Sequence, residues 1–255
     1  MSGKRKEKPN FAQWVAVTLK DLRYAQDTLN LVKARLQSIK RERESRRASM
    51  AADILIPSCK HQDALKPLLA DIEATVGGKP RIILSCNPWS AAKNRNHCLA
   101  QAAEGPVVML DDDISAFPAG WNERLVSVLT EQPGCVMASA RLLRSDGLPG
   151  RMGGIGDNGL FQTEGVYEVK GPQRKLVTAC FAFRNEPDIR FDENYVGSGF
   201  EDDDLSAQLR RKYPGALFLV VCDVAVIHLN EMKNQSENFE RNKQYFQKKW
   251  GVQWT

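Results

Sequence analysis

The feature that most constrains this chain is an apolar run that ends in three consecutive carboxylates. Val107–Leu110 leads directly into Asp111, Asp112 and Asp113, and proline and glycine residues flank the stretch on both sides. A short apolar run between such breakers is typical of a strand that is buried on both faces, as in a parallel sheet. Because ligands of open α/β sheets bind beyond the carboxyl ends of the strands, Asp111 and Asp113 should emerge where a ligand lies.

Two interpretations of this acidic run are open at this point. Adjacent carboxylates repel each other, and each raises the pKa of its neighbour. A divalent cation relieves that repulsion, and hard oxygen ligands suit Mg²⁺ or Mn²⁺. The alternative is a solvated acidic turn that caps the following helix.

Composition limits the class of protein. The 255 residues, 42% of them hydrophobic, suffice for one large domain with an appendage. No apolar run approaches the length of a membrane span, and the basic start of the chain lacks the apolar region of a signal peptide. Six scattered cysteines without a CxxC pair favour reduced thiols over disulfides or zinc. We therefore expect a cytoplasmic protein, in the host cytoplasm if a phage encodes it.

Residues 1–50 form a predicted basic helical arm, followed by a predicted globular α/β domain over residues 51–255. The net charge is +5, much of it in the arm, and a basic surface attracts polyanions such as nucleic acid. The segment 11–48 has neither glycine nor proline, and its a/d positions form a heptad seam: Val15, Thr18, Leu22, Ala25, Leu29, Val32, Leu36 and Ile39. The seam either pairs with a second copy, giving a coiled-coil homo-oligomer through residues 15–39, or packs on the chain's own domain.

Alternating apolar runs and amphipathic segments predict a doubly wound α/β sheet. The first half is expected to run β-α-β-α-β, with strands at 52–58, 81–86 and 107–110 and helices at 63–74 and 91–103. The second half is expected to hold a helix at 121–130, strands at 135–140, 176–183 and 217–227, and a basic aromatic helix within 237–255. The segment 154–159 formally matches GxGxxG, but it lacks the preceding strand and following helix of a dinucleotide site, so we interpret it as a loop.

A second acidic motif begins a helix. The turn Gly197–Phe200 leads into Glu201, Asp202, Asp203 and Asp204. Acids are favoured in a first helical turn by the helix dipole, so a purely structural role is available to them. His228 closes the last predicted strand, where a lone histidine is ordinarily structural.

Taken in order, these pieces resemble the family 2 glycosyltransferases of the GT-A fold over residues 52–251. The segment 54–58 looks like the family's opening strand, and 94–96 resembles its Ala-Arg-Asn segment, with Asn94 in place of Ala. Asp111–Asp113 matches the DxD motif, and Glu201-Asp202 matches the ED motif that carries the catalytic base. His228 falls where related enzymes place a third metal ligand.

The resemblance implies a Rossmann-like GT-A fold, a mixed sheet flanked by helices. It implies a metal-dependent, inverting glycosyltransferase of the hexosyltransferase type, with a nucleotide-diphosphate sugar as donor and a UDP-sugar as the first choice. Mn²⁺ or Mg²⁺ would be held by Asp111, Asp113 and His228. The residues assigned to the nucleotide are Pro57, Ser58, Asn87, Arg95, Asp111 and Asp112.

The resemblance and helix geometry together assign the base to Asp202, with Glu201 positioning the acceptor or the base. Successive helical positions are about 100° apart, so Asp202 and Asp203 face different ways. One departure concerns the nucleoside: the second strand ends Ser85-Cys86-Asn87-Pro88 instead of the Asp-Asp-Gly-Ser-like segment of many members. The usual nucleoside-binding carboxylate is therefore missing.

Three other classes compete with this interpretation. A sugar-phosphate nucleotidyltransferase needs a glycine-rich, lysine-bearing loop after the first strand, which the segment 57–61 is not. A nucleic-acid-binding protein on a GT-A-like scaffold would use the basic arm, but this leaves both acidic motifs unexplained. Intact acidic motifs also argue against an inactive scaffold. A transferase with a basic arm could also act on nucleic acid, and in this hypothesis the acceptor hydroxyl belongs to the nucleic acid.

Overall fold

This computed structural model describes residues 52–150, 161–229 and 238–252, together with positions 33 and 35. The chain divides into the units Met1–Ser49 and Met50–Thr255, and the second is described here by itself. The predicted heptad seam and the segment 154–159 lie outside the described residues. The coiled-coil arm and the loop interpretation therefore stay predictions.

Within the described residues, eight strands form one mixed sheet with the order β2-β1-β3-β7-β5-β8-β4, and β6 pairs with β8. The strands are β1 (Asp53–Ser58), β2 (Ile82–Cys86), β3 (Gly105–Leu110), β4 (Ile114–Ser115), β5 (Cys135–Leu143), β6 (Val166–Glu168), β7 (Cys180–Asn185) and β8 (Leu217–His228).

Five α-helices flank this sheet in the described part of the chain. They are α1 (Lys66–Thr75), which follows a short 3-10 helix, α2 (Ala91–Gln101), α3 (Trp121–Glu131), α4 (Glu201–Lys212) and α5 (Phe239–Trp250). Helix α2 packs on β1 and β2, and α3 packs on β3, β5, β7 and β8. Ser90 caps α2, because its side chain accepts a hydrogen bond from the backbone N–H of Lys93.

Strand direction brings the candidate residues to one edge. β2, β1 and β3 are mutually parallel, as the first half of the sequence predicts. β7 is antiparallel to both β3 and β5, which makes the sheet mixed, as the GT-A resemblance implied. Because β8 is parallel to β5, the carboxyl ends of β1, β2, β3, β5 and β8 all lie at the same edge.

Some element boundaries differ from the sequence predictions. The strand predicted over 176–183 begins only at Cys180, and Leu176 and Thr178 are buried outside it. Periodicity alone does not separate a buried loop from a strand. β8 runs unbroken through Cys222-Asp223, and its register against β5 shifts at this point. β4 and β6 were not predicted, because strands of two and three residues are too short to show the alternation of apolar and polar residues.

All six cysteines are free thiols, as expected from their spacing. None of the helices in the described ranges combines the length and apolar character that crossing a bilayer requires.

Candidate active site

A short strand pairing assembles the first cluster of the site. β3 ends at Leu110, the three aspartates follow, and β4 begins at Ile114. β4 pairs with the end of β8 so that Ile114 lies opposite His228, and the backbone N–H of Leu229 donates to the carbonyl of Asp113 at 3.0 Å. This pairing brings His228 Nε2 to 3.4 Å from Asp113 Oδ1.

The ligand atoms of Asp111, Asp113 and His228 lie within 4.8 Å of one another, and the three residues are half-buried. Burial raises the pKa of Asp111 above its ordinary value, and the Asp113 carboxylate adds to the rise, although Arg95 opposes it. A divalent cation would relieve this accumulation of negative charge. Two carboxylates and an imidazole therefore fit Mn²⁺ or Mg²⁺.

Arg95 links this cluster to the second acidic motif. Its guanidinium is buried and donates to Asp111 Oδ1 and to Glu201 Oε1, both at 2.8 Å. Burial disfavours the charged guanidinium, but the two carboxylates outweigh this effect and raise the pKa of Arg95. The predicted contact of Arg95 with a nucleotide stays a prediction, because in this structure the side chain holds two protein carboxylates.

A tight turn sets the direction of α4. Gly197 and Gly199 have φ values of 69° and 104°, and the N-cap residue Phe200 is also left-handed at φ 72°. This conformation costs a residue with a side chain roughly 1–2 kcal/mol. Phe200 is held there by ring contacts with Phe239 and Phe246 of α5, at centroid distances of 5.1 and 5.7 Å.

The four acids at the start of α4 have different partners. Glu201 pairs with Arg95, Asp203 with Lys175, and Asp204 with Lys249 at 2.8 Å. Burial and the neighbouring Asp202 carboxylate raise the pKa of Asp203.

Asp202 is half-buried and makes no ion pair with any residue that the structure describes; its Oδ1 accepts from the backbone N–H of Asp203. Among these four acids, only its carboxylate is not committed to a cation. A carboxylate without a cationic partner is available to accept a proton, as a general base must do.

The predicted nucleotide residues lie together at the carboxyl ends of β1 and β2. Pro57 pairs with Ser85 in the parallel register, and the backbone N–H of Asn87 donates to the carbonyl of Ser58 at 3.2 Å. The Ser58 hydroxyl donates to Asp112 Oδ2. The first strand, the second strand and the DxD segment therefore meet at one place.

Sequence reasoning missed two residues of this region. Lys60 Nζ donates to Asp112 Oδ1 at 2.6 Å, a contact between positions 52 residues apart that no local pattern could reveal. Asn94 is buried, accepts from the Ser85 hydroxyl at 2.7 Å and donates to the carbonyl of Asn87 at 3.0 Å. Its presence in place of the family's alanine was visible in the sequence, and the structure shows that it fixes the turn after β2.

The mixed sheet and its flanking helices are those of the GT-A glycosyltransferases. The chain is similar to a crystal structure of GalNAc-T7 with UDP, GalNAc and Mn²⁺. The similarity covers 79% of this chain, with a TM-score of 0.52 and 14% sequence identity. The chain is also similar to S. aureus TarS over 76% of its own length, with a TM-score of 0.52 and 15% identity. The structure of TarS residues 1–349 matches the same share, with a TM-score of 0.51 and 15% identity.

These likenesses concern the fold. The chain spans 42% of the GalNAc-T7 chain, 38% of the TarS chain and 69% of its 1–349 fragment. No protein-family model and no curated protein sequence matches the chain.

Proposed function

We propose that this protein is a metal-dependent, inverting glycosyltransferase that moves a hexose from a nucleotide-diphosphate sugar to an acceptor hydroxyl. The observation that carries the proposal is the convergence of Asp111, Asp113 and His228 at the carboxyl edge of a GT-A sheet. Arg95 joins that cluster to the helix that bears Asp202. Metal cluster and candidate base thus belong to one connected site.

Each side chain has a defined task in this mechanism. Asp111, Asp113 and His228 would hold Mn²⁺ or Mg²⁺, which when bound offsets the charge that develops on the departing diphosphate. Asp202 accepts the proton of the acceptor hydroxyl, which is a poor nucleophile without a base. Attack opposite the leaving group inverts the anomeric centre. The buried Glu201–Arg95 pair fixes the helix on which the base lies.

The nucleotide is assigned to the ends of β1 and β2 and to the DxD segment. Pro57, Ser58, Asn87 and Asp112 are adjacent there, and Lys60 adds a cation that suits a diphosphate. We take a UDP-sugar as the donor to test first, since the similar GalNAc-T7 structure contains UDP and Mn²⁺. No acidic side chain at the end of β2 marks the nucleoside site, so other bases belong in the test.

The test is a donor-hydrolysis screen. Purified full-length chain is incubated with UDP-, GDP-, ADP- and CDP-sugars with Mn²⁺, Mg²⁺ or EDTA, and nucleotide release is measured. We expect metal-dependent hydrolysis of one donor class, loss of this activity in Asp113→Ala, and retention in the control Asp146→Ala, which removes an exposed acid of another loop. Hydrolysis of no donor, or hydrolysis that EDTA leaves unchanged, contradicts the proposal.

A further inference from the structure

A cavity of about 440 Å³ opens beside α4, away from the candidate metal ligands. It is bounded by the loop before β7, by the flank and carboxyl end of α4, and by the end of α5. Asp111, Asp113 and His228 are not among its lining residues. Asp203 does line the cavity, and it directly follows the candidate base Asp202 on α4. The cavity therefore extends to the first turn of that helix, one residue from the candidate base.

The lining carries an excess of positive charge. Arg174, Lys175, Arg210 and Arg211 line the cavity, and Asp203 is its one carboxylate. Lys175 pairs with Asp203, so that carboxylate already has a cationic partner. Three guanidinium groups remain without a carboxylate in the lining.

The hydrogen bonds of these arginine side chains go to uncharged acceptors. Arg174 donates through Nε to the carbonyl of Ala216 at 2.9 Å, and Arg210 donates to the carbonyl of Arg174; neither acceptor is charged. The side chain of Arg211 is exposed and makes no hydrogen bond or ion pair with a described residue. Burial and the like charge of Arg174 lower the pKa of Arg210, and the Asp203 carboxylate only partly offsets them.

The chemistry of the lining selects the ligand. Guanidinium groups present planar, forked donors that match phosphate oxygens. Pro172, Pro214 and Trp250 add apolar surface beside them, and the volume is within the range of small-molecule sites. A phosphate ester whose organic part contacts the apolar side fits both features.

We propose that this cavity binds a phosphate group of the acceptor, so that the substrate hydroxyl is presented to Asp202 by a phosphate-bearing molecule. The inference rests on the proposed function and names its acceptor class. An acceptor phosphate bound here would also explain the position of the cationic lining, which lies on the flank of α4 and not beside Asp111, Asp113 and His228.

Phosphate binding is tested first, without donor or metal. Inorganic phosphate is titrated calorimetrically into the metal-free full-length chain, Arg211→Glu, Arg210→Gln and the control Arg184→Glu. Arg184 is exposed, lies opposite Pro106 at the amino end of β3 and does not line the cavity, so Arg184→Glu makes the same charge change as Arg211→Glu outside the lining. We expect saturable binding that weakens at least about tenfold in Arg211→Glu and Arg210→Gln and not in Arg184→Glu.

Absence of saturable phosphate binding, unchanged affinity in Arg211→Glu, or an equal loss in Arg184→Glu overturns the proposal. Arg211 is exposed, so its substitution decides the test even if Arg210→Gln does not fold. Failure of donor hydrolysis would contradict the proposed function alone, because this titration contains neither donor nor metal.

Transfer is then measured with matched acceptor pairs: a nucleoside and its 5′-monophosphate, and glycerol and glycerol 3-phosphate. We expect kcat/KM to favour the phosphorylated member of at least one pair by about tenfold or more, and this ratio to fall towards one in Arg211→Glu. The pair that shows the preference separates a nucleic-acid source of the phosphate from a polyol phosphate. Equal use of both members in both pairs contradicts the assignment of the acceptor.

Discussion

At the residue scale, Arg95 holds together carboxylates from two distant parts of the chain. Its guanidinium contacts Asp111 and Glu201, and both Arg95 and Glu201 are about 95% buried, with 5% exposure each. Buried ion pairs contribute modestly as a pair, but removal of one partner leaves the other charge without compensation. Arg95 therefore affects both the stability of the domain and the orientation of α4.

Arg95→Met should lower the free energy of unfolding by about 3–5 kcal/mol at neutral pH, because Glu201 is then buried without its partner. Burial already raises the pKa of Glu201, so protonation relieves the cost as pH falls, and the deficit should shrink. Urea unfolding at pH 7 and pH 5 measures this. The double variant Arg95→Met/Glu201→Gln should recover part of the loss. A deficit that is the same at both pH values would count against an unpaired Glu201 as its cause.

Asp202→Asn should lower the rate of glycosyl transfer by ~10²–10⁴-fold with donor affinity nearly unchanged, because it keeps the shape and removes the base. Asp203→Asn is the matched control: Asp203 pairs with Lys175 in the cavity lining, so at saturating acceptor its substitution should change the transfer rate only mildly. Single-turnover kinetics measure the transfer rate, and nucleotide titration measures the donor affinity separately. If Asp203→Asn were crippling and Asp202→Asn tolerated, the base would be misassigned.

At the element scale, α5 holds the turn that presents the candidate base. Asn242 is buried and donates to the carbonyls of Val196 and Gly199 at 3.0 Å each, and Trp250 Nε1 donates to Asp204 at 2.7 Å. These contacts, with the ring contacts to Phe200, fix the left-handed start of α4. A basic aromatic helix was predicted here, but its packing against α4 was not.

Asp192 provides a pH-dependent test of this attachment. Burial opposes its ionisation, but Lys249 of α5 and hydrogen bonds from Asn194 and Tyr245 prevail and lower the pKa of Asp192 to about 2. The folded-state pKa thus lies below the unfolded value, so the stabilisation is complete above about pH 4 and is lost as pH falls towards 2.

Asp192→Asn should therefore cost about 2 kcal/mol of stability at pH 7 and much less near pH 2. Asp63→Asn, which removes an exposed surface pair, should cost little at either pH. Chemical unfolding across this range measures both. A difference between Asp192→Asn and wild type that does not change with pH would exclude the ion pair as the source.

Elements with strong local patterns could be predicted from sequence, and contacts between distant segments could not. The buried β3, the parallel first half and the acidic start of α4 all follow from periodicity and composition. The placement of His228 depends on β4, a strand of two residues with no pattern of its own. The Arg95 and Lys60 contacts join positions 16 to 106 residues apart, which only the folded sheet brings together.

At the scale of the whole molecule, the sequence-predicted arm and the described sheet have separate expected roles. If the heptad seam over residues 15–39 pairs between chains, removal of residues 1–48 should lower the molar mass measured by light scattering and leave donor hydrolysis intact. Pairing is excluded if the full-length chain is already monomeric at high concentration. Loss of hydrolysis on truncation would assign the arm a part in the site.

Asp111, Asp113 and His228 are proposed to hold one divalent ion for the reaction. Calorimetric titration of Mn²⁺ into the full-length chain tests this proposal most directly. We predict one ion per chain, loss of binding in Asp111→Ala/Asp113→Ala, and weaker binding in His228→Ala. Affinity should also weaken as pH falls, because the imidazole must be neutral and the raised pKa of Asp111 brings its protonation nearer to neutral pH. Mn²⁺ affinity that is unchanged in the double alanine variant, with the fold intact, would contradict the account.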